Sequence, residues 1–191
     1  MRTLILGIGN ILWADEGFGV RAVEAFHARY ETGPEVTLLD GGTQGLYLVQ
    51  FVEACDQLLV FDAIDYGLEP GTLRIMRDAD VPRFMGAKKM SLHQTGFQEV
   101  LAAADLLGRY PARLALIGCQ PQDLEDWGGP LTGLVAAAIE PALAAAAETL
   151  ASWGVDLRPR GADSCERLLA HDLAHRHYER RPCGAEEETR P

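Results

Sequence analysis

Short apolar runs recur along this chain, and each is followed by a turn and then by a segment with helical spacing. The first run, over residues 3–8, ends in glycines and precedes a helical pattern over 17–30. The same order returns at 35–40, with a helix over 45–54, and a further run lies at 57–64. Strands that are apolar throughout, rather than at alternate positions, are typical of a sheet covered on both faces. The sequence therefore predicts a three-layer α/β/α sandwich.

The second half of the chain completes the predicted sheet. A strand over 72–77 follows its predecessor too closely for a helical crossover, so we expect it to be antiparallel. A helix over 94–107, a strand over 113–119 and an alanine-rich helix capped by Thr132 come next. Pro141 inside this last helix predicts either a kink or two shorter helices. The expected sheet is thus mixed, mostly parallel and five-stranded.

The chain has 191 residues, of which 48% are hydrophobic, enough for one domain with a sizeable core. We expect a catalytic domain over 1–154 and a tail over 155–191, partly helical over 165–178 or disordered. The four cysteines are scattered without a C-x-x-C pair, which predicts reduced thiols rather than a disulfide framework or a zinc site. The N-terminal apolar run is too short for a secretory signal, so we expect a cytoplasmic protein.

The charge balance narrows the classes of partner. With 17 Lys and Arg against 28 Asp and Glu, the formal net charge is −11. A body of this sign is repelled by nucleic acid and by anionic membranes, so we expect neither as a partner. No uninterrupted stretch reaches the 18 or more apolar residues expected of a membrane span.

Acidic side chains and one histidine lie at the predicted strand ends. Asp15 and Glu16 follow the first strand, Asp40 ends the second, Asp62 ends the third, and His93 precedes a helix. In an open α/β sheet the ligand crevice lies beyond the carboxyl ends of the strands. Carboxylates and an imidazole on separate loops could hold nickel, zinc, copper or iron. Each residue also has a plain structural explanation, as a turn former or a helix cap.

Two other classes of function use the same strand ends. Gly7 and Gly9 suggest a dinucleotide-binding enzyme, but Leu12 stands where the third glycine of that motif belongs. A phosphoacceptor domain with Asp62 as the acceptor would need a lysine after the strand over 113–119. The chain has glutamine and proline there. Neither pattern is complete.

Five segments carry a resemblance to a known family: LGIGNILWADEGFGVRAVE (6–24), LLDGGTQGL (38–46), FDAID (61–65), SLHQTGF (91–97) and IGCQP (117–121). In this order they resemble the hydrogenase maturation proteases over residues 1–153. The resemblance is greatest to the branch that serves uptake-type nickel-iron hydrogenases. It implies an endopeptidase of the cytoplasm that removes a C-terminal extension from the precursor of the hydrogenase large subunit after nickel insertion.

The resemblance also implies roles for individual residues. The residues that contact nickel, and with them the catalytic centre, match Glu16, Asp62 and His93. We expect the nickel to be carried by the precursor, so that these three side chains recognise its loaded state. Another divalent metal could occupy the same donors.

A second signature in the resemblance comprises four consecutive residues that shape the approach of the substrate: Asp40, Gly41, Gly42 and Thr43. No serine or cysteine stands in a G-x-S-x-G or comparable elbow. The chemistry could instead use a carboxylate as the base toward water, as in aspartic proteases, or a metal that polarises the carbonyl. The residues leave both routes open.

Overall fold

The structure is a computed structural model that describes residues 1–81 and 92–161, together with Leu168, Leu169 and Leu173. For residues 92–95 it describes the backbone alone. It confirms the predicted α/β/α sandwich around a mixed five-stranded sheet.

The strands are β1 (Thr3–Ile8), β2 (Tyr30–Thr32), β3 (Val36–Gly42), β4 (Gln57–Ala63), β5 (Leu73–Arg77), β6 (Arg113–Cys119) and β7 (Leu157–Pro159). The α-helices are α1 (Phe18–Arg29), α2 (Val49–Val52), α3 (Leu92–Leu106) and α4 (Gly133–Ser152). Two single turns of 3₁₀ helix precede α1 and α2, at Ala14–Gly17 and Gly45–Leu48.

The main sheet has the strand order β3-β1-β4-β6-β5. The first four strands are parallel, and β5 runs antiparallel to β6, as its close spacing behind β4 predicts. The parallel strands therefore end at one edge, which we call the carboxyl edge. In parallel sheets this edge is where loops from several strands meet.

Helices cover both faces of the sheet and bury its strands. On one face α1 and α4 pack against the sheet through a cluster that includes Phe18, Phe26 and Val135. On the other face α2 and α3 contribute Val52, Phe97 and other apolar side chains. Because both faces are covered, every residue of β1 and β4 is buried, which explains the apolar run at the centre of each strand.

Two helices test the details of the sequence-based expectations. The segment expected as one helix over 45–54 begins as a 3₁₀ turn, and its first residue, Gly45, has φ +55°. The last helix continues through Pro141 as one element, which excludes the expected alternative of two shorter helices. Thr132 occupies the expected N-cap position of α4, but its side chain makes no cap bond to its own helix.

A second, small sheet joins the segment after α4 to the end of α1. In it β7 pairs antiparallel with β2, from Tyr30 opposite Pro159 to Thr32 opposite Leu157. This pairing was not predicted, since both strands have only three residues. Leu169 is also buried against the body. The expected helix over 165–178 lies largely outside the described residues, and the boundary at 154 stays a prediction.

Helix α4 is long and rich in alanine. Within the described residues it is the one helix long and apolar enough to cross a membrane by length and composition. Val135, Leu143 and Leu150 on this helix are buried against the sheet, as in the core helix of a globular domain. Packing inside the domain therefore explains these three apolar side chains.

Candidate functional site

The segment that carries Glu16 runs from the end of β1 to the start of α1, and we call residues 9–17 the Glu16 arm. At its base Gly9 has φ +143°, and a Cβ there would collide with the carbonyl oxygen of Glu16. The Asn10 N–H donates to that same carbonyl oxygen at 3.1 Å. The arm thus folds back on itself, and the half-buried Glu16 lies at the carboxyl edge.

Asp15, next to Glu16, is fully buried at 0% exposure. Its carboxylate accepts four hydrogen bonds. The Gln122 and Asp123 N–H groups donate to Oδ2 at 2.8 and 2.9 Å, and Thr132 donates through its N–H to Oδ1 at 2.7 Å and through its hydroxyl to Oδ2 at 3.0 Å. Asp15 is therefore a helix cap, which was the structural explanation that the sequence offered beside metal binding. The helix it caps is α4, more than a hundred residues along the chain.

Asp62 lies near the end of β4 and is also 0% exposed. Across the sheet it stands opposite Gly118 of β6. The Tyr66 phenol packs against Gly118 so closely that a Cβ on that glycine would collide with the hydroxyl. Burial raises the pKa of Tyr66 well above its ordinary value of 10.0, and the negative charge of Asp62 raises it further. The phenol and the carboxylate are thus electrostatic neighbours.

Gln120 fixes the loop that carries Tyr66. Its Oε1 accepts the N–H groups of Tyr66 at 2.8 Å and Leu68 at 3.1 Å. Its Nε2 donates to Asp65 Oδ1 at 3.0 Å and to the Pro121 carbonyl at 3.2 Å. This buried amide therefore uses both ends of its side chain, which holds Tyr66 against β6 beside Asp62.

The end of β3 contains the DGGT signature, Asp40 to Thr43. Opposite the step from Gly7 to Ile8 the register of β3 skips Gly41, which forms a bulge. A Cβ on Gly41 would press on the Leu6 side chain, and Gly42 has φ +46°. The Gly42 N–H donates to Asp40 Oδ1 at 2.9 Å, so Asp40 also forms its own turn. Gly42 is thus favoured by its backbone conformation, and Gly41 by the close packing of Leu6.

The surroundings of Asp40 affect its ionisation. Burial raises the pKa of Asp40 above its ordinary value of 3.8, and the Gly42 N–H and the Arg21 guanidinium oppose this rise. Arg21 itself is almost fully buried on α1 and donates to Glu24 at 3.0 Å and to the Leu173 carbonyl at 2.7 Å. Sequence reasoning had not identified Arg21 as a neighbour of the signature.

His93 lies in the first turn of α3, and its side chain is outside the described part of the structure. One turn later, Gly96 packs against Gly45, since a Cβ on Gly96 would lie 3.4 Å from the Gly45 Cα. The start of α3 is therefore near the end of β3. Within the described side chains no group of three metal ligands is present. The gathering of Glu16, Asp62 and His93 around one ion stays a prediction.

Aromatic side chains lie on the surface beside the Glu16 arm. Trp13 and Trp127 make an edge-to-face pair with ring centroids 4.8 Å apart, and their backbones form a β-bridge. Trp127 is 62% exposed, and Tyr47, after the DGGT signature, is 78% exposed. Trp127 and Tyr47 are therefore surface residues rather than part of the core.

Cys55 and Cys119 are free and buried, as small apolar residues of the core. Burial raises the pKa of Cys55 from 9.0 to about 11 and that of Cys119 from 9.0 to about 12. Because only the thiolate is a good nucleophile, neither thiol serves as one at neutral pH.

Comparison with known proteins adds to this geometry. The family model described as HycI, hydrogenase maturation protease, matches residues 20–149. The hydrogenase expression/formation protein HupD of Bradyrhizobium diazoefficiens is 67% identical over 183 residues, which are 95% of each chain. HoxM of Cupriavidus necator is 57% identical over 176 residues, covering 91% of this chain and 87% of that one. The solved hydrogenase maturating endopeptidase HybD from Escherichia coli has a TM-score of 0.80 at 44% identity, over 86% of this chain and 100% of that chain.

Proposed function

Because the chain belongs to the hydrogenase maturation protease family and is an endopeptidase, we propose that it cuts the precursor of a nickel-iron hydrogenase large subunit. The cut removes a C-terminal extension after nickel has been inserted. Family membership replaces the two other classes raised from the sequence, a dinucleotide-binding enzyme and a phosphoacceptor domain. The free thiols of Cys55 and Cys119 fit a reducing compartment, the cytoplasm.

The observation that carries the proposal for the site is the position of Asp62. It is a fully buried carboxylate at the carboxyl edge, on a strand that contacts the turn containing Glu16. The start of α3, which contains His93, lies along the same edge. Two carboxylates and an imidazole suit nickel, and other divalent metals too. In this proposal the nickel belongs to the precursor, and the three side chains bind it only when the precursor presents it.

The two carboxylates have different surroundings and therefore different roles. Glu16 is half-buried, so solvent reaches it, whereas Asp62 is closed off inside the sheet edge. We assign to Glu16 the role of the base that accepts the proton of the attacking water, and to Asp62 the role of a fixed metal ligand. Because a carboxylate is the base, the chemistry is of the aspartic type. Bound nickel would supply Lewis-acid polarisation of the scissile carbonyl. The DGGT signature, Asp40 to Thr43, would line the approach of the extension.

The test is incubation of the protein with nickel-loaded precursor and with nickel-free precursor, followed by intact mass measurement. We expect loss of the extension from the loaded precursor alone. His93→Ala should leave the loaded precursor uncut without a change in the thermal midpoint of unfolding, since the proposal places this imidazole at the edge of the sheet and not in the core. His27→Ala is the matched control, because His27 lies in the last turn of α1, whereas Glu16 comes just before its first turn.

Each arm of this experiment can fail separately. A loaded precursor left intact by the wild-type protein would overturn the function. Equal cleavage of the nickel-free precursor would overturn recognition of the metal. Cleavage by the His93→Ala protein at the wild-type rate would remove His93 from the site.

A further inference from the structure

We propose that Asp15 is the positioning residue that holds Glu16 over Asp62. The inference deepens the proposed function and rests on it for the role of Glu16. It assigns a task to a buried acid that the family signature contains but that contacts neither water nor an open crevice.

The strand order places Asp62 between the two segments that Asp15 joins. Strand β4, which carries Asp62, lies between β1 and β6. The Glu16 arm follows β1, and residues 120–132, which include Gln122 and Asp123 and which we call the β6 loop, follow β6. A bond between these two segments must cross the carboxyl end of β4. The four hydrogen bonds of Asp15 are such a crossing, and the next residue along the arm is Glu16.

Hydrogen bonds between the Glu16 arm and the β6 loop run in both directions. The Asp15 N–H donates to the Asp123 carbonyl at 3.1 Å, while the Asp123 N–H donates to the Asp15 carboxylate. Farther out, the Gly128 N–H donates to the Leu12 carbonyl at 2.8 Å. The arm is therefore fixed to the β6 loop at two points, of which Asp15 is the nearer to Glu16.

The negative charge of the Asp15 carboxylate matches its hydrogen-bond partners. All four partners of the Asp15 carboxylate are donors, and the bonds from Thr132 come from the N-terminus of α4, where the helix dipole favours an anion. Asparagine would turn its NH₂ toward some of these donors. A carboxylate thus fits this position, and a neutral isostere does not.

Thr132→Val tests the proposal with little disturbance of the fold. The Thr132 hydroxyl makes no cap bond within α4, so valine keeps the branched shape and the backbone N–H and removes only the hydroxyl bond to Asp15. We expect kcat for the nickel-loaded precursor to fall roughly tenfold with KM within about twofold, because misplaced catalytic groups slow the chemistry rather than the binding. Thr132→Ser should restore kcat to within about twofold.

The control variant is Glu125→Gln, which removes an exposed carboxylate from the same loop and should leave kcat unchanged. A second readout does not depend on cleavage. The Asn10 N–H donates to the Glu16 carbonyl, so its hydrogen exchange reports on the arm. We expect faster exchange of the Asn10 amide in Thr132→Val and wild-type exchange in Thr132→Ser.

Wild-type kcat in Thr132→Val, or an equal loss in Thr132→Ser, would overturn the positioning role. A lower unfolding midpoint with unchanged kcat would do the same, since it would show a purely structural bond. If the wild-type protein leaves the loaded precursor uncut, the proposed function fails separately. Hydrogen exchange of the Asn10 amide is then the remaining test, and unchanged exchange in Thr132→Val would overturn the positioning role.

Discussion

Asp15 and Gln120 are two buried side chains that each make four hydrogen bonds, on either side of the strand that carries Asp62. Asp15 joins the Glu16 arm to the β6 loop and to α4. Gln120 joins the end of β6 to the loop with Tyr66. One is a carboxylate whose partners are all donors, and the other is an amide that both accepts and donates.

This difference decides how each position responds to change. A carboxylate only accepts hydrogen bonds, so all its partners are N–H and O–H donors. When an amide replaces the carboxylate, some of these buried donors lose their acceptor and face the NH₂ group. An amide is satisfied by a mixed set, and its partners include carbonyl and carboxylate oxygens. Hydrogen bonds to charged groups also contribute more than neutral ones, about 1.5–3 against about 1 kcal/mol. The segments that Asp15 joins should therefore be more rigid than those that Gln120 joins, and Asp15 should tolerate substitution less well.

Asp15→Asn should have the largest effect on stability. We expect the free energy of unfolding to fall by about 3 kcal/mol, because the amide cannot satisfy four buried donors. Urea denaturation measures this, with Glu125→Gln as the charge-matched control. A fall below about 1 kcal/mol would mean that the charge at this position is unimportant.

Gln120→Ala should follow, with a fall of about 2 kcal/mol in the free energy of unfolding, because the Tyr66 and Leu68 N–H groups lose their acceptor. Gln50→Ala is the control, since Gln50 is exposed and makes one bond, to the Tyr47 carbonyl. If Gln120→Ala costs more than Asp15→Asn in the same denaturation experiment, the comparison between charged and neutral sides is wrong.

Gly118→Ala should cost about 1–2 kcal/mol, because the added methyl group meets the Tyr66 hydroxyl. In a Tyr66→Phe background the same substitution should cost about half as much, since the obstructing oxygen is gone. A double-mutant cycle of unfolding free energies measures the coupling. Equal costs in the two backgrounds would show that the Tyr66 hydroxyl does not obstruct the added methyl group, because the loop held by Gln120 moves aside without cost.

The smallest effect concerns Cys119, whose pKa is raised by burial and then by the nearby charge of Asp15. The thiol ionises near pH 9 in the unfolded chain and near pH 12 when folded. Its contribution to stability is complete below pH 9 and is lost as the pH rises toward 12. Cys119→Ala should flatten the decline of unfolding free energy across this window. An unchanged slope would place the source of the decline in other groups.

The fold was predictable because its signals are local. The apolar runs of β1, β4 and β6 and the short gap before β5 each define an element within a few residues. The pairing of β2 with β7 was not, since neither strand is long enough to show a pattern.

The site was predictable only in part. The positions of Asp62 and Asp40 at strand ends follow from the strands themselves. The role of Asp15 depends on Thr132, 117 residues away. No local pattern marks this contact, because only the structure shows that the Thr132 hydroxyl does not cap its own helix. Gln120 was not predictable either, because a lone glutamine after a strand has many structural explanations.

The pairing of β2 with β7 also bears on how the molecule is made. The Arg160 N–H donates to the Arg29 carbonyl at 2.8 Å, next to the three paired residues of each strand. During synthesis on the ribosome the end of α1 emerges long before residues 157–160. The nascent chain must therefore keep this edge open until translation of the domain is nearly finished, and closing it is one of the last folding steps.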